Sequence, residues 1–226
     1  MLKHFKTFLL ILLPFTFAVN AHAQNTNFKS FSIDYSNTLD GTATGYGKWY
    51  FAKDKRRVEQ AFYGNQYMQG RKNVAIIRLD KQVMWELDSD LKIYTERSLH
   101  PKGSSAMAQD IKNHGIEKPM GTLVGSEKID GKIADKYVWS VSTQNPFKTT
   151  TQMTSYYVHD SMIPIRIKTD IQSNIMGNIK NGVGIMEFKN VQFNEPSAQL
   201  FEIPAGYKFI PNSKDFYKLS IRKVAQ

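Results

Sequence analysis

The residues that could carry catalysis or bind a metal are few and widely spaced in this chain. Beyond residue 23 it has three histidines, His100, His114 and His159, and none of them shows the close spacing typical of a zinc site. The chain has no cysteine, which excludes disulfides, thiol nucleophiles and thiolate metal ligands. We therefore expect each histidine to be a surface or turn residue, and we expect neither a metal nor a cofactor.

Motifs that mark common enzyme classes are incomplete. Gly125-Ser126 lacks the rest of the G-x-S-x-G frame that places a nucleophilic serine on a sharp turn, and strand-like residues follow it. Gly45 and Gly47 lack the remainder of a dinucleotide-binding fingerprint, and there is no phosphate-loop lysine motif. A hydrolase would need a triad assembled from distant residues, which leaves little trace in one sequence. The sequence therefore predicts a protein that is not an enzyme.

The first 23 residues have the organisation of a cleavable secretion signal. A short basic segment, residues 1–6, precedes an apolar run over residues 7–19, and Ala21 and Ala23 form the small-x-small pattern that signal peptidase cuts. The apolar run is shorter than the roughly 20 residues that cross a bilayer, and Pro14 interrupts it. The sequence predicts cleavage after Ala23 and export to the periplasm.

Residues 24–226 are expected to form one domain, since this length suits a single substantial core. Lys3 and Lys6 leave with the signal, so the formal net charge falls from +10 to +8. The basic side chains are scattered around apparent turns, and no nucleic-acid-binding motif is present, so we expect no nucleic acid partner. The charge leaves two alternatives, a solvated surface or attraction to anionic lipid headgroups or an acidic envelope partner.

Alternation of apolar and polar residues dominates after the signal. Phe31, Ile33 and Tyr35 share one face of a first strand, and the residues up to Phe51 alternate in the next. Further strands are predicted over residues 74–79, 122–129, 134–141, 150–158, 163–169 and 185–193, with a weaker one over 216–224 and a loop or irregular hairpin end over 174–184. A short helix, capped by Ser104 or Ser105, is predicted within residues 98–114. The pattern favours a mainly β fold with one short helix.

The clearest hairpin surrounds a turn at residues 88–90. A three-residue loop pairs Leu87 with Leu91 and Trp85 with Ile93, whereas a two-residue loop would mix the apolar and polar faces. The two aspartates of this turn could in principle form an acid–base pair. Because such side chains favour turns by bonding nearby backbone, we interpret them as structural.

Aromatic side chains recur on the alternating strands. They are core residues in the simplest interpretation, and the alternative is that part of a curved sheet face stays open and apolar. Burying an acyl chain of about 16 carbons there would contribute roughly 12 kcal/mol before ordering costs, at ~0.8 kcal/mol per methylene. The candidate lining residues of such a lipid-binding cavity are Trp49, Phe51, Trp85, Ile93, Tyr137 and Trp139.

Three stretches resemble a known group of proteins. Residues 74–99 (VAIIRLDKQVMWELDSDLKIYTERSL) resemble the central hairpin of periplasmic carrier-like domains, and residues 155–168 (SYYVHDSMIPIRIK) a recurring strand, turn, Pro and Arg pattern. Residues 188–208 (FKNVQFNEPSAQLFEIPAGYK) resemble their terminal segment. In this order and spacing the stretches are similar to the LolA-like superfamily, which includes the outer-membrane lipoprotein-sorting carriers.

The resemblance implies a curved antiparallel sheet that forms an incomplete barrel, with a short helix packed in its mouth and a cavity for acyl chains. Residues 98–114 would be that helix, and Arg166, in the Pro-x-Arg motif, is a candidate polar contact. The implied function is a non-catalytic carrier, acting as a monomer, for a lipid or an acylated protein in envelope lipid or lipoprotein trafficking. The alternative is an envelope interaction or regulatory protein with no bound lipid.

Overall fold

The computed structural model describes residues 30–63, 72–99, 121–143, 148–161, 163–175 and 178–222, which form a 12-stranded sheet with one α-helix and one 3-10 helix. Its strands are β1 (Phe31–Leu39), β2 (Thr42–Ala52), β3 (Lys55–Phe62), β4 (Lys72–Arg78), β5 (Val83–Asp88), β6 (Ile93–Ser98), β7 (Thr122–Ile129), β8 (Lys132–Thr143), β9 (Lys148–Val158), β10 (Pro164–Ile175), β11 (Asn178–Gln192) and β12 (Lys208–Phe209). The order across the sheet is β12-β6-β5-β4-β3-β2-β1-β11-β10-β9-β8-β7. All neighbours are antiparallel except β12 and β6, which are parallel.

We call the face that carries Ile33 and Trp49 the inner face and the opposite one the outer face. One apolar cluster on the inner face joins side chains from seven strands, β1 to β4 and β9 to β11. Bulges in the β1, β7 and β10 pairings bend the strands. The terminal strands β7 and β12 do not pair with each other, so the curved sheet stays open. The predicted mainly β, incompletely closed antiparallel sheet is confirmed.

Gly47 allows a close crossing within the inner face. The Tyr35 ring lies over β2, and its hydroxyl donates a hydrogen bond to the Glu59 carbonyl on β3, 3.2 Å away. A Cβ atom at position 47 would lie 2.7 Å from that ring. Gly45 and Gly47, whose spacing resembles part of a dinucleotide-binding motif, therefore lie within a strand and allow close packing of its neighbours.

A second apolar cluster lies on the outer face of β2 and of β4 to β6. Trp85 and Leu87 of β5 pack there against Phe201, which belongs to a 3-10 helix at Ala198–Phe201. The Arg57 guanidinium donates to the Leu200 carbonyl at 2.8 Å, which ties this segment to β3. The chain's own segment therefore covers this part of the outer face.

The helix α1 (Ser213–Arg222) lies where the sequence predicted a weak terminal strand, so the prediction over residues 216–224 was wrong. Asn212 caps it, since its carbonyl accepts from Phe216 N–H at 3.0 Å and its side chain from Lys214 N–H at 2.9 Å. The helix packs on the inner face, where Ser220 donates to Asp88 at 2.8 Å. This contact with Asp88 of β5, which is distant in sequence, favours the helical conformation of the segment over a strand.

The β5–β6 hairpin has a different register from the predicted one. Asp88 pairs with Ile93 and Trp85 with Glu96, so the loop has four residues rather than three. Lys92 adopts a positive φ of 52°. Asp88 Oδ1 accepts hydrogen bonds from the backbone N–H groups of Asp90 and Leu91, each at 3.1 Å. Trp85 and Ile93 consequently lie on opposite faces. The structural role predicted for the turn aspartate fits these bonds.

The remaining predictions concern residues that the structure does not describe, or a region that contains more strand than was predicted. The secretion signal, the helix at 98–114, apart from its first two residues, and the histidines His100 and His114 lie outside them. Residues 174–184, predicted as a loop or irregular hairpin end, lie at the end of the β10–β11 hairpin and are mostly strand, because the ladder continues to the pair Ile175 and Asn178. In the parts of the chain that the structure describes, no helix is long and apolar enough to span a membrane.

Candidate functional site

The centre of the inner face is an aromatic cluster packed ring against ring. Phe31 and Phe51 stack with centroids 4.3 Å apart, and Trp49 meets Phe188 edge to face at 4.9 Å. Tyr35 contacts Trp49 in the same edge-on manner at 5.9 Å. Such pairs add stability beyond the apolar area that they bury. Trp49 is only 3% exposed, so the middle of the cluster is closed by protein.

The border of this cluster is not closed to the same extent. Six apolar side chains pack against the buried centre while remaining partly exposed, and we call them the rim: Phe51, Met84, Leu99, Trp139, Ile163 and Val191. Phe193, which is 60% exposed, packs against Phe31, and the two ring centroids are 6.4 Å apart. The rim is therefore the accessible apolar surface of the inner face.

A buried cation lies beside the rim. The Arg56 guanidinium is 5.1 Å from the Phe51 ring centroid and donates to the carbonyls of Ala52 and, at 2.8 Å, Lys55. Burial lowers the pKa of Arg56 to about 10, against the raising effect of the Asp54 carboxylate. The side chain thus remains charged at neutral pH, and hydrogen bonds to backbone carbonyls stabilise the charge.

Most of the predicted lining residues lie on the inner face. Trp49 belongs to the cluster centre, and Phe51 and Trp139 belong to the rim. Ile93 and Tyr137 share the face through the strand register but lie outside the cluster. Tyr137 instead packs edge-on against Tyr157, with centroids 6.0 Å apart.

Two predicted site residues lie on the other side of the sheet. Trp85 packs in the outer cluster, and its indole N–H donates to Glu96 at 2.8 Å. Arg166 pairs in register with Tyr156 and Glu187 on the outer face, and its guanidinium lies 2.8 Å from the Glu187 carboxylate. Neither side chain reaches the inner apolar cluster, because alternation along a strand sends neighbouring side chains to opposite faces.

A polar network under α1 was missed at the sequence level. The Tyr217 hydroxyl donates to the Glu86 carboxylate at 2.7 Å and accepts a hydrogen bond from Arg97, which itself lies 2.8 Å from Glu86. Burial, and then the Glu86 charge, raises the pKa of Tyr217. The signals in the sequence were the Asn212 cap and the spacing of Phe216 and Ser220, which share one side of a helix.

One cluster of titratable residues lies at the far end of the sheet. Ser126 Oγ and His159 Nδ1 both approach Asp135 Oδ1, at 2.8 Å and 2.7 Å. The histidine is bonded to the carboxylate and not to the serine, so it does not relay a proton from a nucleophile. The Asp135 hydrogen bond raises the pKa of His159, and reciprocally that bond lowers the pKa of Asp135.

The same cluster is the place where the described residues bring three potential metal ligands together. Asp135, His159 and Asp160 have ligand atoms within 4.8 Å of one another. The imidazole turns Nδ1 to Asp135 and Nε2 to Asp160, 3.4 Å away. One nitrogen faces each carboxylate, which is the arrangement of a hydrogen-bonded surface cluster.

A groove of about 600 Å³ crosses the outer face of β1 to β4. Opposite charges along it pair with each other: Arg57 with Glu59 at 2.7 Å, and Lys48 with Asp34 at 3.8 Å. Tyr46 at its edge stacks on an exposed neighbouring tyrosine. The charged side chains of these two pairs are therefore neutralised by one another.

Comparison with protein families gives a match over more than half of the chain. A family model described as a domain of unknown function, DUF4412, matches residues 32–162. No curated protein matches the chain in sequence.

Several solved structures are similar at low identity. An uncharacterised conserved protein from Thermus thermophilus is 13% identical, with a TM-score of 0.48, over 81% of this chain and 91% of that one. PNGF-II is 14% identical, also with a TM-score of 0.48, over 87% of this chain and 33% of that one. A LolA superfamily protein from Nitrosomonas europaea is 11% identical, with a TM-score of 0.34, over 79% of this chain and 92% of that one. At these values the similarities carry no inference about function.

Proposed function

The chain belongs to the DUF4412 family, whose model is described as a domain of unknown function, and we propose that it is a non-catalytic periplasmic carrier or binding protein for acyl chains. The ligand would be a lipid or the lipid anchor of an acylated protein, as in the LolA-like superfamily that three stretches of the sequence resemble. The observation that carries the proposal is the partly exposed apolar rim of the inner face.

The physical basis is the transfer of hydrocarbon from water to the rim. A saturated chain of about 16 carbons would gain roughly 12 kcal/mol from full burial, and only part of this is needed after the costs of association. Phe51, Met84 and Trp139 offer apolar area next to a closed aromatic centre. The centre itself contributes rigidity, which lowers the ordering cost of binding.

The absence of a catalytic role is part of the same proposal. Within the described residues, the Ser126, Asp135 and His159 cluster is the grouping nearest to a hydrolytic site, and its hydrogen bonds run through the carboxylate. Ser126 and His159 each bond to Asp135 and not to each other. Broad ester and glycoside screens on the purified protein are expected to show no turnover.

The direct test is to purify the exported protein from the periplasm, extract it with organic solvent and identify bound lipid by mass spectrometry. We expect an acyl-containing ligand in a stoichiometric amount, and we expect the delipidated protein to take up a fluorescent fatty acid saturably. Finding no ligand and no uptake would contradict the proposal.

A pair of matched variants locates the binding. Trp139→Ala removes a partly exposed aromatic side chain from the inner rim and is expected to weaken fatty acid binding about tenfold, equivalent to ~1.4 kcal/mol. Tyr46→Ala removes a partly exposed aromatic side chain from the outer face and should leave binding unchanged. Equal effects of the two variants would place the ligand elsewhere.

The open edge of the sheet favours a second candidate function, docking of an envelope partner. Among the strands that the structure describes, β7 pairs on one side only, and its residues Leu123 and Val124 are 53% and 55% exposed. An extended segment of another protein adds to such an edge through backbone hydrogen bonds. A photocrosslinker at Leu123 would then capture one dominant protein in cells, unlike one at Ile179, which is exposed within the sheet. Recovery of only the monomer would argue against docking.

A further inference from the structure

The groove on the outer face of β1 to β4 takes no part in the proposed acyl binding. Its volume of about 600 Å³ lies within the range of small-molecule sites, roughly 300–1,000 Å³. Three inter-strand spacings separate β1 from β4, so the groove extends roughly 14 Å across the strands. These dimensions suit a small ligand that lies across the strands.

The strand register explains why a depression forms here. Tyr46 of β2, Ala61 of β3 and Lys72 of β4 lie side by side in one row across the outer face. All three residues line the groove, and the small Ala61 side chain separates the two long ones. Tyr46 and Lys72 are two strands apart, roughly 10 Å at the spacing of a sheet. The row therefore has an aromatic ring at one end, a cation at the other and a depression between them.

Tyr46 offers an exposed aromatic surface at its end of the row. It is 46% exposed, and its ring stacks on that of Tyr63 with centroids 4.9 Å apart. Tyr46 lines the groove whereas Tyr63 lies outside the lining, so the stack holds the Tyr46 ring in place from outside. The face of an aromatic ring carries partial negative charge, which attracts the slightly positive C–H groups on one side of a sugar ring. Tyr46 is therefore suited to stacking against a sugar.

Two ion pairs beside this row offer hydrogen-bond donors and acceptors together. Arg57 lies 2.7 Å from Glu59, and Lys48 lies 3.8 Å from Asp34. Both carboxylates are exposed, and exposed pairs contribute little to stability, so their groups remain accessible to a ligand. A hydroxyl is both donor and acceptor, so two neighbouring sugar hydroxyls can bond to a carboxylate and to its cation at once. The pairs thus favour a polyhydroxylated ligand over an ion that must displace one partner.

Lys72 leaves one positive charge of the groove uncompensated. It is exposed, and the ion pairs among the described residues do not include it. Three cations and two carboxylates line the groove, so its net charge is +1. One carboxylate on the ligand would balance this charge, whereas a phosphate monoester carries nearly two negative charges at neutral pH. The charge balance therefore favours a ligand with a single carboxylate.

We propose that this groove binds a short acidic saccharide, with one sugar ring on Tyr46, hydroxyls at the two ion pairs and a carboxylate at Lys72. A disaccharide is long enough to bridge the roughly 10 Å between the two ends of the row. The groove and the apolar rim lie on opposite faces of the sheet, so this inference does not rest on the proposed acyl binding.

The test is calorimetric titration with two matched pairs of disaccharides. Cellobiose is paired with cellobiouronic acid, and diacetylchitobiose with N-acetylglucosaminyl-N-acetylmuramic acid, so that the members of each pair differ by one acidic group. We expect the acidic member of at least one pair to bind with a dissociation constant below about 1 mM, about tenfold lower than that of its neutral partner. Added salt should reduce this difference, because the Lys72 charge is exposed.

Two variants separate the charge contact from the ring contact. Lys72→Gln should weaken the acidic disaccharide about tenfold and leave its neutral partner unchanged. Tyr46→Ala should weaken the acidic disaccharide by a similar factor and abolish measurable binding of the neutral one, whereas Tyr46→Phe keeps the ring and should change either by less than about twofold. The matched controls are Lys180→Gln and Phe209→Ala, at exposed residues outside the groove, and they should change neither value.

Three results would overturn the inference. The first is the absence of saturable binding of all four disaccharides, and the second is equal affinity for the acidic and neutral members of both pairs. The third is tighter binding of adenosine monophosphate, which also combines a ring, hydroxyls and an anion, than of any disaccharide. Fatty acid binding is measured separately, so each of these results leaves the proposed acyl binding intact, and failure of acyl binding leaves the saccharide groove intact.

Discussion

The inner and outer apolar clusters are alike in composition and differ in what covers them. Each combines a tryptophan with aliphatic and aromatic neighbours on alternating strands. The outer cluster around Trp85 is covered by residues from the chain itself, with Phe201 in its centre and Leu200 bonded to Arg57. The inner cluster around Trp49 keeps partly exposed members along its border.

The difference shows that alternation identifies buried strand faces and does not distinguish core from binding surface. The covering segment of the outer cluster follows β5 by more than 100 residues in sequence. Whether a face is completed by the chain or left for a ligand is therefore decided by tertiary structure. On this comparison, changes to the outer cluster should alter stability, and changes to the inner rim should alter binding.

The largest expected effect is on the outer cluster. Phe201→Ala removes a fully buried ring and is expected to lower the free energy of unfolding by about 3–5 kcal/mol, measured by urea denaturation. Phe209→Ala, at a largely exposed ring, should cost less than about 1 kcal/mol. If Phe201→Ala also abolished fatty acid binding in protein shown to be folded, the division between the clusters would be wrong.

A smaller effect is expected where α1 meets the polar end of the inner face. Tyr217→Phe leaves the Glu86 carboxylate without its hydroxyl donor, although Arg97 remains, and should cost about 1–2 kcal/mol of unfolding free energy. Tyr46→Phe, on an exposed ring, is the control. Hydrogen exchange of α1 amides should accelerate in Tyr217→Phe alone. Unchanged exchange would mean that the network does not hold the helix.

The smallest effect concerns the surface cluster around Asp135. The raised pKa of His159 means that its contribution is present when the ring is protonated and is lost as pH rises through the folded-state pKa. The lowered pKa of Asp135 means that its contribution is lost as pH falls through that lower value. The contribution is thus greatest between about pH 4 and pH 6.5.

His159→Gln should flatten this part of the pH dependence of the melting temperature and leave fatty acid binding unchanged. Thermal melts from pH 4 to pH 8 provide the measurement. A change in ligand affinity in His159→Gln would mean that the ligand reaches this end of β8 and would contradict binding at the rim alone.

Much of the fold could be predicted from the alternation of apolar and polar residues, because a strand with one apolar face shows this pattern in its own local sequence. The strand predicted over residues 74–79 corresponds to β4, whose apolar residues are buried. The hairpin register was not predicted, since it depends on the bonds of Asp88 within the loop and on the positive φ of Lys92. The terminal helix was misjudged because its stability depends on Glu86 and Asp88, which are distant in sequence.

The candidate site could be predicted only in part, for a related reason. Phe51 and Trp139 were named from their strand positions, and both lie on the inner rim. Trp85 was grouped with them because the predicted hairpin placed it opposite Ile93, whereas it pairs with Glu96, and an odd shift in register moves a side chain to the opposite face.

Tryptophan quenching by a brominated fatty acid tests the central claim most directly, because the chain has three tryptophans, of which Trp85 alone lies on the outer face. Single-tryptophan variants, with the other two replaced by phenylalanine, would be titrated with the ligand. We predict strong saturable quenching of Trp139, weaker quenching of the closed Trp49 and none of Trp85. Quenching of Trp85 equal to that of Trp139, or no saturable quenching of any, would contradict acyl binding on the inner face.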